Sequence, residues 1–346
     1  MRKQWLITGL AAALVMGCIP ARAADVSEPM ELSILNYNVA GLPKLFGNGA
    51  ADVEANQKKI GEILAGREYD IIAVQEDFGY HKALAAGLTG YPYTTVHSGG
   101  VPGGDGMNLW SAYPLYNENR TAWETAYGVI EDGADEMTPK GILYTAVDLG
   151  GGIILDLYDI HADAYGDAGS AAAREAQYLQ LAEMIAENSA DRPVIVTGDF
   201  NISLHHENDC SLWENFMEPL GLRDAWIELY NGGDTGDFSA WTESGGKWDS
   251  IEKFLYRSGG GIEVEALSFA YEYFCDADGV SLSDHPAAEA VFSVTAAADF
   301  EPYSGLLTVT EDKWLPRAFR IFQVICRDLG KLFTHLDELI AYLDGN

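Results

Sequence analysis

Arg192-Pro193-Val194-Ile195-Val196-Thr197-Gly198-Asp199-Phe200-Asn201 is the stretch on which the reading of this chain turns. A proline opens a run of β-branched residues and a glycine closes it, which reads as a short strand buried on both faces. At its end stand a carboxylate and a carboxamide two residues apart, and period-2 geometry places Asp199 and Asn201 on the same side of the chain. Asp199 offers only acceptors, whereas Asn201 offers a carbonyl and an NH2. That pair suits a site that orients a water and holds a phosphate oxygen. Gly, Asp and Asn are equally the residues of an ordinary turn, so the decision rests on their company.

The company is found at other strand ends. Glu31 to Val39 alternates and then turns polar, a first strand that delivers Asn36 or Asn38 to its C-terminal end before Gly41-Leu42-Pro43 breaks it. Ala51 to Leu64 has helical periodicity. Tyr69 to Val74 is a second buried strand running into Gln75-Glu76-Asp77. A carboxylate at the end of an apolar strand is costly unless paired or bound to a cation, which makes Glu76 a metal-ligand candidate. A solvated strand end is the plainer alternative. Phe78 to Leu88 reads as a helix and Tyr91 to Leu109 as glycine-rich loop; its GGDGMNL phrase is not a phosphate loop, since no GK[ST] opens a helix there. Thr138-Pro139-Lys140-Gly141 opens a strand from Ile142 to Leu149. Three glycines then turn it into Ile153 to Ile160, a hairpin ending at His161. Helices follow at Arg174 to Glu187 and Trp213 to Leu220. Trp248 to Arg257 is a strand with Asp249 and Glu252 near its start. Ile262 to Tyr273, then Ser283-Asp284-His285 and Ala288 to Val294, complete the pattern. Asn38, Glu76, His161, Asp199, Asn201 and His285 thus lie at or just beyond apolar strands, whose ends converge on one edge of an α/β core.

Composition sets the outer limits. The 346 residues, 48% of them hydrophobic, exclude wholesale disorder and suffice for a large core. Arg2 and Lys3, an apolar run from Trp5 to Met16 and Ala21-Arg22-Ala23 form a signal peptide over residues 1–23, too short to span a bilayer, so a secreted or periplasmic protein is expected. Val15-Met16-Gly17-Cys18 offers lipoprotein anchoring at Cys18 as a second route. After cleavage Cys210, Cys275 and Cys326 remain, with none of the close spacing of a zinc site; a Cys210–Cys275 bridge between neighbouring loops is one possibility. A net charge of −32 repels polyanions at long range and argues mildly against broad nucleic-acid binding, although salt screens this within roughly 8 Å.

Taken in order, LNYN at Asn38, VQE at Glu76, TPKG at Lys140, IH at His161, GDFN at Asp199 and Asn201, and SDH at Asp284 and His285 resemble the endonuclease/exonuclease/phosphatase superfamily, the deoxyribonuclease-like phosphodiesterases. NVAGLP, VQEDF, TPKG, YRSG and LSDHP are most similar to its sphingomyelinase-related branch. The resemblance covers residues 32–294. It implies a two-sheet, four-layer α/β sandwich over residues 30–297 and a divalent cation, usually Mg2+, held by Glu76 with Asn38 and Asp284. It further implies that His285 takes a proton from the attacking water. His161 would contact the phosphate and help the leaving group, Lys140 would add positive charge near the phosphate, and Asp199 and Asn201 would orient water and phosphate. The family has an aspartate that orients the catalytic histidine; here that place is Glu252, with Asp249 three residues earlier as the alternative. Oxygen ligands suit a hard ion that keeps several waters, which agrees with Mg2+ on chemical grounds alone.

Residues 300–346 form a C-terminal amphipathic helical extension. Between Lys313 and Lys331 it carries Lys313, Arg317, Arg320, Arg327 and Lys331 against Asp328 alone, interleaved with aromatic and aliphatic residues. Such a helix either lies in a membrane interface through residues 313–333 or packs on the acidic domain. The expected function is a secreted metal-dependent phosphodiesterase of sphingomyelinase or phospholipase C type acting on a phospholipid or sphingolipid headgroup. A secreted nuclease of the same fold and a catalytically lapsed binding protein are the alternatives.

Overall fold

The computed structural model describes residues 28–43, 52–101, 103–128, 135–136, 138–202, 215–233 and 251–310. Among these residues twelve strands form two six-stranded sheets. The first has the order β11 (Ile262–Glu272), β12 (Ala287–Ala296), β1 (Met30–Asn38), β2 (Ile71–Gln75), β4 (Asn108–Ser111), β3 (Tyr93–Thr94). The second runs β5 (Leu115–Ala122), β6 (Gly141–Gly150), β7 (Ile153–His161), β8 (Val194–Asp199), β10 (Glu252–Arg257), β9 (Arg223–Asp224). Helices α1 (Val53–Ala65) and α2 (His81–Gly87) cover the first sheet. Helix α3 (Ala168–Asn188) covers the second, with helical residues 215–220 (α4) and α5 (Ala225–Asn231) near its β9 edge.

Strand alternation explains the layers. Leu32 and Ile34 of β1 and Ile71 and Ala73 of β2 point between the sheets, into a core shared with Leu157, Ile195 and Phe254. Leu35, Tyr37 and Val39, with Ile72 and Val74, point the other way onto Ile60, Leu64 and Leu84 of the helices. Both faces of the central strands are therefore buried. Tyr178, Leu181 and Ile185 of α3 close the outer face of the second sheet, giving the four-layer α/β sandwich.

The strand Val194–Asp199 is buried along its whole length. It lies between β7, parallel, and β10, antiparallel. Gly198 sits at φ 140°, and a Cβ there would come within 2.0 Å of the Ile160 carbonyl oxygen on β7. Gly198→Ala is therefore expected to cost about 3 kcal/mol or more, read as a lower urea midpoint at unchanged m. A change within about 0.5 kcal/mol would contradict this contact.

Some expectations need correcting. The glycine-rich loop from Tyr91 to Leu109 contributes β3 and the start of β4, strands too short to show a period but fixed by pairing with each other and with β2. The polar segment Leu115–Ala122 is also a strand, made one by its hydrogen bonds to β6. Arg120 ties it down through Asp105, Glu118 and the Met107 and Val96 carbonyls. Helix α2 starts at His81 rather than Phe78, and α3 starts at Ala168 because Asp167 caps the Gly169 and Ser170 amides.

Beyond β12 the chain crosses to the second sheet. The Tyr303 amide donates to the Gly152 carbonyl at 3.0 Å, and Asn117 and Thr308 exchange hydrogen bonds of 2.8–2.9 Å. Residues 301–310 of the extension are thus not helical but packed on the domain, with Leu307 against the core. Residues 313–333 lie outside the described residues, as do residues 1–23, Asp249 and Cys210. Cys275 is an exposed free thiol. Among the described residues no helix is long and apolar enough to cross a membrane.

Candidate active site

The pairing scheme itself assembles a site. β1 and β2 are parallel, as are β7 and β8, so their C-terminal ends present Asn38, Glu76, His161 and Asp199 at one edge. β10 and β12 run antiparallel to β8 and β1, so the residues at or just before their starts meet the same edge. Glu252 is directly opposite Asp199 in this register. His285 stands just before β12.

Asp199 is the hub. Its Oδ2 accepts from Asn38 Nδ2 at 3.1 Å and lies 3.5 Å from His161 Nε2 and 3.9 Å from His285 Nδ1. Its Oδ1 accepts the Asn201 amide at 3.0 Å. Asn38 Nδ2 also donates to Glu76 Oε1 at 3.2 Å, while its Oδ1 accepts the Ala40 amide at 3.0 Å. Asn38 therefore turns its NH2 toward Glu76 and its oxygen away; a ligand oxygen from Asn38 would need the amide to flip. Asn36, two residues below on the same face, braces the sheets instead. It donates to the Gly198 carbonyl at 2.9 Å and accepts from Gln75, which also donates to Asp159.

Glu252 is fully buried and its Oε1 is 2.5 Å from His285 Nδ1. A carboxylate only accepts, so Nδ1 carries a proton, and Nε2 is the ring nitrogen turned away from Glu252. Asp284 lies on that side, its Oδ1 4.0 Å from Nε2 and its side chain 51% exposed. Ser283, which the sequence reading passed over within SDH, donates to the Asn38 carbonyl at 2.7 Å and accepts the His285 amide at 3.2 Å. It locks the histidine loop to the end of β1.

Lys140 forms an ion pair with Asp135 and donates to the Ala162 carbonyl at 3.4 Å. Asn201 Nδ2 donates to that same carbonyl at 3.0 Å, so the lysine and the carboxamide are neighbours. Beside Lys140 a small cleft is lined by Trp123, Asp135, Thr138, Pro139, Asp163 and Gln177. Asp135 and Asp163 were not singled out from sequence: no strand end or motif marks Asp135, and Asp163, two residues past the end of β7, is overshadowed by His161.

The electrostatics are strongly perturbed, as in functional sites generally. Burial would lower the His285 pKa, but the Glu252 hydrogen bond and the charges of Asp199, Glu252 and Asp284 lift it from 6.5 to about 10. Burial drives His161 well below the usual histidine range, helped by Lys140 and His285, so its ring is neutral. Burial opposes the charge on Lys140, yet Asp135, Glu76 and Asp199 hold its pKa above that of an ordinary lysine. Burial raises Glu76 and Asp199 above the usual carboxylate range, against the pull of nearby cations. Asp163 is pushed up to about 7 by burial and then by Asp135.

The donor set fits a hard divalent cation. Glu76 is a carboxylate whose ionised form burial disfavours, and it shares the edge with Asp199 and Glu252. Glu76 also sits at φ 59°, a left-handed conformation that a non-glycine residue holds only under constraint. Excess anionic oxygen in one partly dry site is the environment in which Mg2+ is retained.

The endonuclease/exonuclease/phosphatase family profile matches residues 35–285. A sphingomyelinase from Mycobacterium bovis (strain ATCC BAA-935 / AF2122/97) is 33% identical over 274 residues, covering 77% of this chain and 53% of the relative. The chain thus spans about half the length of the curated relatives it matches. Sphingomyelinase C from Streptomyces griseocarneus superposes with a TM-score of 0.55 at 20% identity, over 76% of this chain and 99% of that one. A doubly substituted beta toxin from Staphylococcus aureus, with bound magnesium ions, gives 0.54 at 16% identity, over 75% and 99%. D. rerio TDP2 complexed with single-strand DNA product gives 0.57 at 18% identity, over 76% and 98%.

Proposed function

Because the chain belongs to the endonuclease/exonuclease/phosphatase family, we propose that it is a divalent-metal-dependent phosphodiesterase of sphingomyelinase or phospholipase C type. The observation that carries this reading is the meeting of Glu76, Asp199 and the Glu252–His285 pair at one sandwich edge. The mycobacterial relative named a sphingomyelinase supports the substrate class, and the beta toxin with bound magnesium ions supports Mg2+ as the cation. The signal-like residues 1–23 support an exported protein.

Phosphodiester hydrolysis needs a water aligned opposite the leaving oxygen and charge stabilisation on phosphorus-bound oxygens. In this reading Glu76, oriented by Asn38, holds the cation, with Asp284 on the outer side of the site. When bound, the cation supplies Lewis-acid charge at a phosphate oxygen and offsets the carboxylates that raise His285. His285 Nε2 accepts the water proton as the oxygen attacks phosphorus, and the bond to the leaving oxygen breaks with that alkoxide steadied by His161 and protonated from solvent. Glu252 keeps Nδ1 protonated and stabilises the imidazolium that forms. Asp199 fixes the spacing of Asn38, His161 and His285. Lys140 and Asn201 meet the phosphate oxygens, and neutral His161 serves as a hydrogen-bond donor beside them.

The test is a substrate panel of vesicle sphingomyelin, a lysophospholipid and DNA, each with Mg2+ and with excess chelator. Sphingomyelin should release its phosphorylated headgroup only with the cation present, at a rate well above DNA cleavage. Preferential DNA cleavage would replace the lipid reading with the nuclease one. No turnover of any substrate would leave a binding protein.

A further inference from the structure

Outside the site just described, one group of side chains has the composition of a transition-metal centre. Asp77, His81 and His97 each offer one donor atom, and those atoms all lie within 4.8 Å of one another. Asp77 follows β2, His81 is the first residue of α2, and His97 lies in the loop after β3. Asp77 is 1% exposed; its Oδ2 accepts from Asn108 Nδ2 at 2.9 Å and faces His81 Nδ1 at 2.6 Å. Its Oδ1 is buried with no hydrogen-bond partner among the described residues, an acceptor that costs stability unless something fills its coordination. His97 Nε2 is 3.0 Å from the Asp77 carbonyl oxygen. The two imidazoles stack at 3.9 Å with 12° between their planes, backed by Trp110. Both histidines retain part of their surface in solvent, so an ion and a completing water can reach them.

We propose that Asp77, His81 and His97 form a second cation site, separate from Glu76, for a borderline ion of the Zn2+ class. Two imidazoles and one carboxylate favour such an ion over Mg2+, which demands an octahedron of oxygens. Tetrahedral ligands about 2.1 Å from an ion stand roughly 3.4 Å apart, so the 2.6 Å Asp77–His81 contact opens while donors up to 4.8 Å apart close, both through ring rotation. The ion takes the place of the proton between His81 and Asp77, and His81 binds it as the neutral tautomer, its lone pair on Nδ1 and its one proton on Nε2. Its effect reaches the catalytic edge through the backbone. Asp77 directly follows Glu76, and its amide donates to the Gly106 carbonyl at 2.9 Å. Tying Asp77 to α2 and to the β3 loop stiffens the segment that holds Glu76 in its left-handed conformation.

The experiment uses the full chain carrying Glu76→Gln, stripped with chelator and titrated with Co2+. One equivalent should produce a tetrahedral ligand-field band in the visible, and Zn2+ should bleach it while raising Tm by roughly 5 °C. Adding His81→Gln or His97→Gln should remove both responses. X-ray absorption on the Zn2+-loaded Glu76→Gln protein should count two imidazole ligands, a reading that needs no folded histidine variant. Absence of the band in Glu76→Gln, its persistence in both histidine variants, or fewer than two imidazoles on zinc would overturn the proposal.

Discussion

Glu76→Gln is expected to lower Mg2+-dependent hydrolysis by at least about 10^3-fold while leaving the fold intact. The substitution keeps the shape that Asn38 holds at 3.2 Å and removes only the charge that binds the cation. The sign of its effect on stability is opposite to its effect on rate. Burial raises the Glu76 pKa, so the folded state favours the protonated form and ionisation destabilises it as pH rises through that value. Glutamine abolishes this loss. At neutral pH the variant should therefore melt no lower than the metal-free parent, and its Tm should not respond to millimolar Mg2+. Calorimetry with and without Mg2+, beside the rate assay, separates the two effects. Full activity in the variant or in excess chelator would sink the assignment of Glu76.

Glu252→Gln should lower kcat by roughly 10^3-fold with a much smaller change in KM, the effect expected when the partner that orients a catalytic imidazole is neutralised. Glu252 is fully buried on a 2.5 Å contact with His285 Nδ1 and is a major reason the His285 pKa stands at about 10. Without that charge the pKa falls, and the acidic limb of the pH–rate profile should move to lower pH. The same pair gives a stability signature. A histidine raised in the folded state contributes stability that is fully present below about 6.5 and lost as pH rises through about 10. The parent Tm should fall across that window, and the Glu252→Gln Tm should fall less. An unshifted pH–rate profile, or equal Tm slopes, would mean that Glu252 does not control the imidazole.

How legible the site was differs residue by residue. Glu76, His161 and Asp199 could be found because each interrupts or ends an apolar strand, where an uncompensated polar group is expensive. The choice between Asn36 and Asn38 could not be made that way. Both occupy the same face of β1, and only their tertiary neighbours separate them: the opposing sheet takes Asn36 to Gly198, and the end of β2 with the opposing sheet takes Asn38 to Glu76 and Asp199. Lys140 was visible through TPKG, but its partner Asp135 lies in a segment with no periodicity to read. Ser283 was overlooked inside SDH because its role is a hydrogen bond to a carbonyl 245 residues away in sequence.

The sequence by itself determined the long apolar strands and the family, since these follow from local apolar runs and ordered motifs. The tertiary structure alone decided where the functional side chains point. By strand alternation Gln75 faces the second sheet and Glu76 should face the helices. The left-handed backbone at Glu76, φ 59°, turns its carboxylate to Asn38 instead. Asn201, at φ 50°, likewise escapes the period-2 rule that would align it with Asp199, and reaches the Ala162 carbonyl beside Lys140. Periodicity records which face water has left. A residue of unfavourable φ is held by contacts from distant strands, and those contacts come into being only when both sheets have closed.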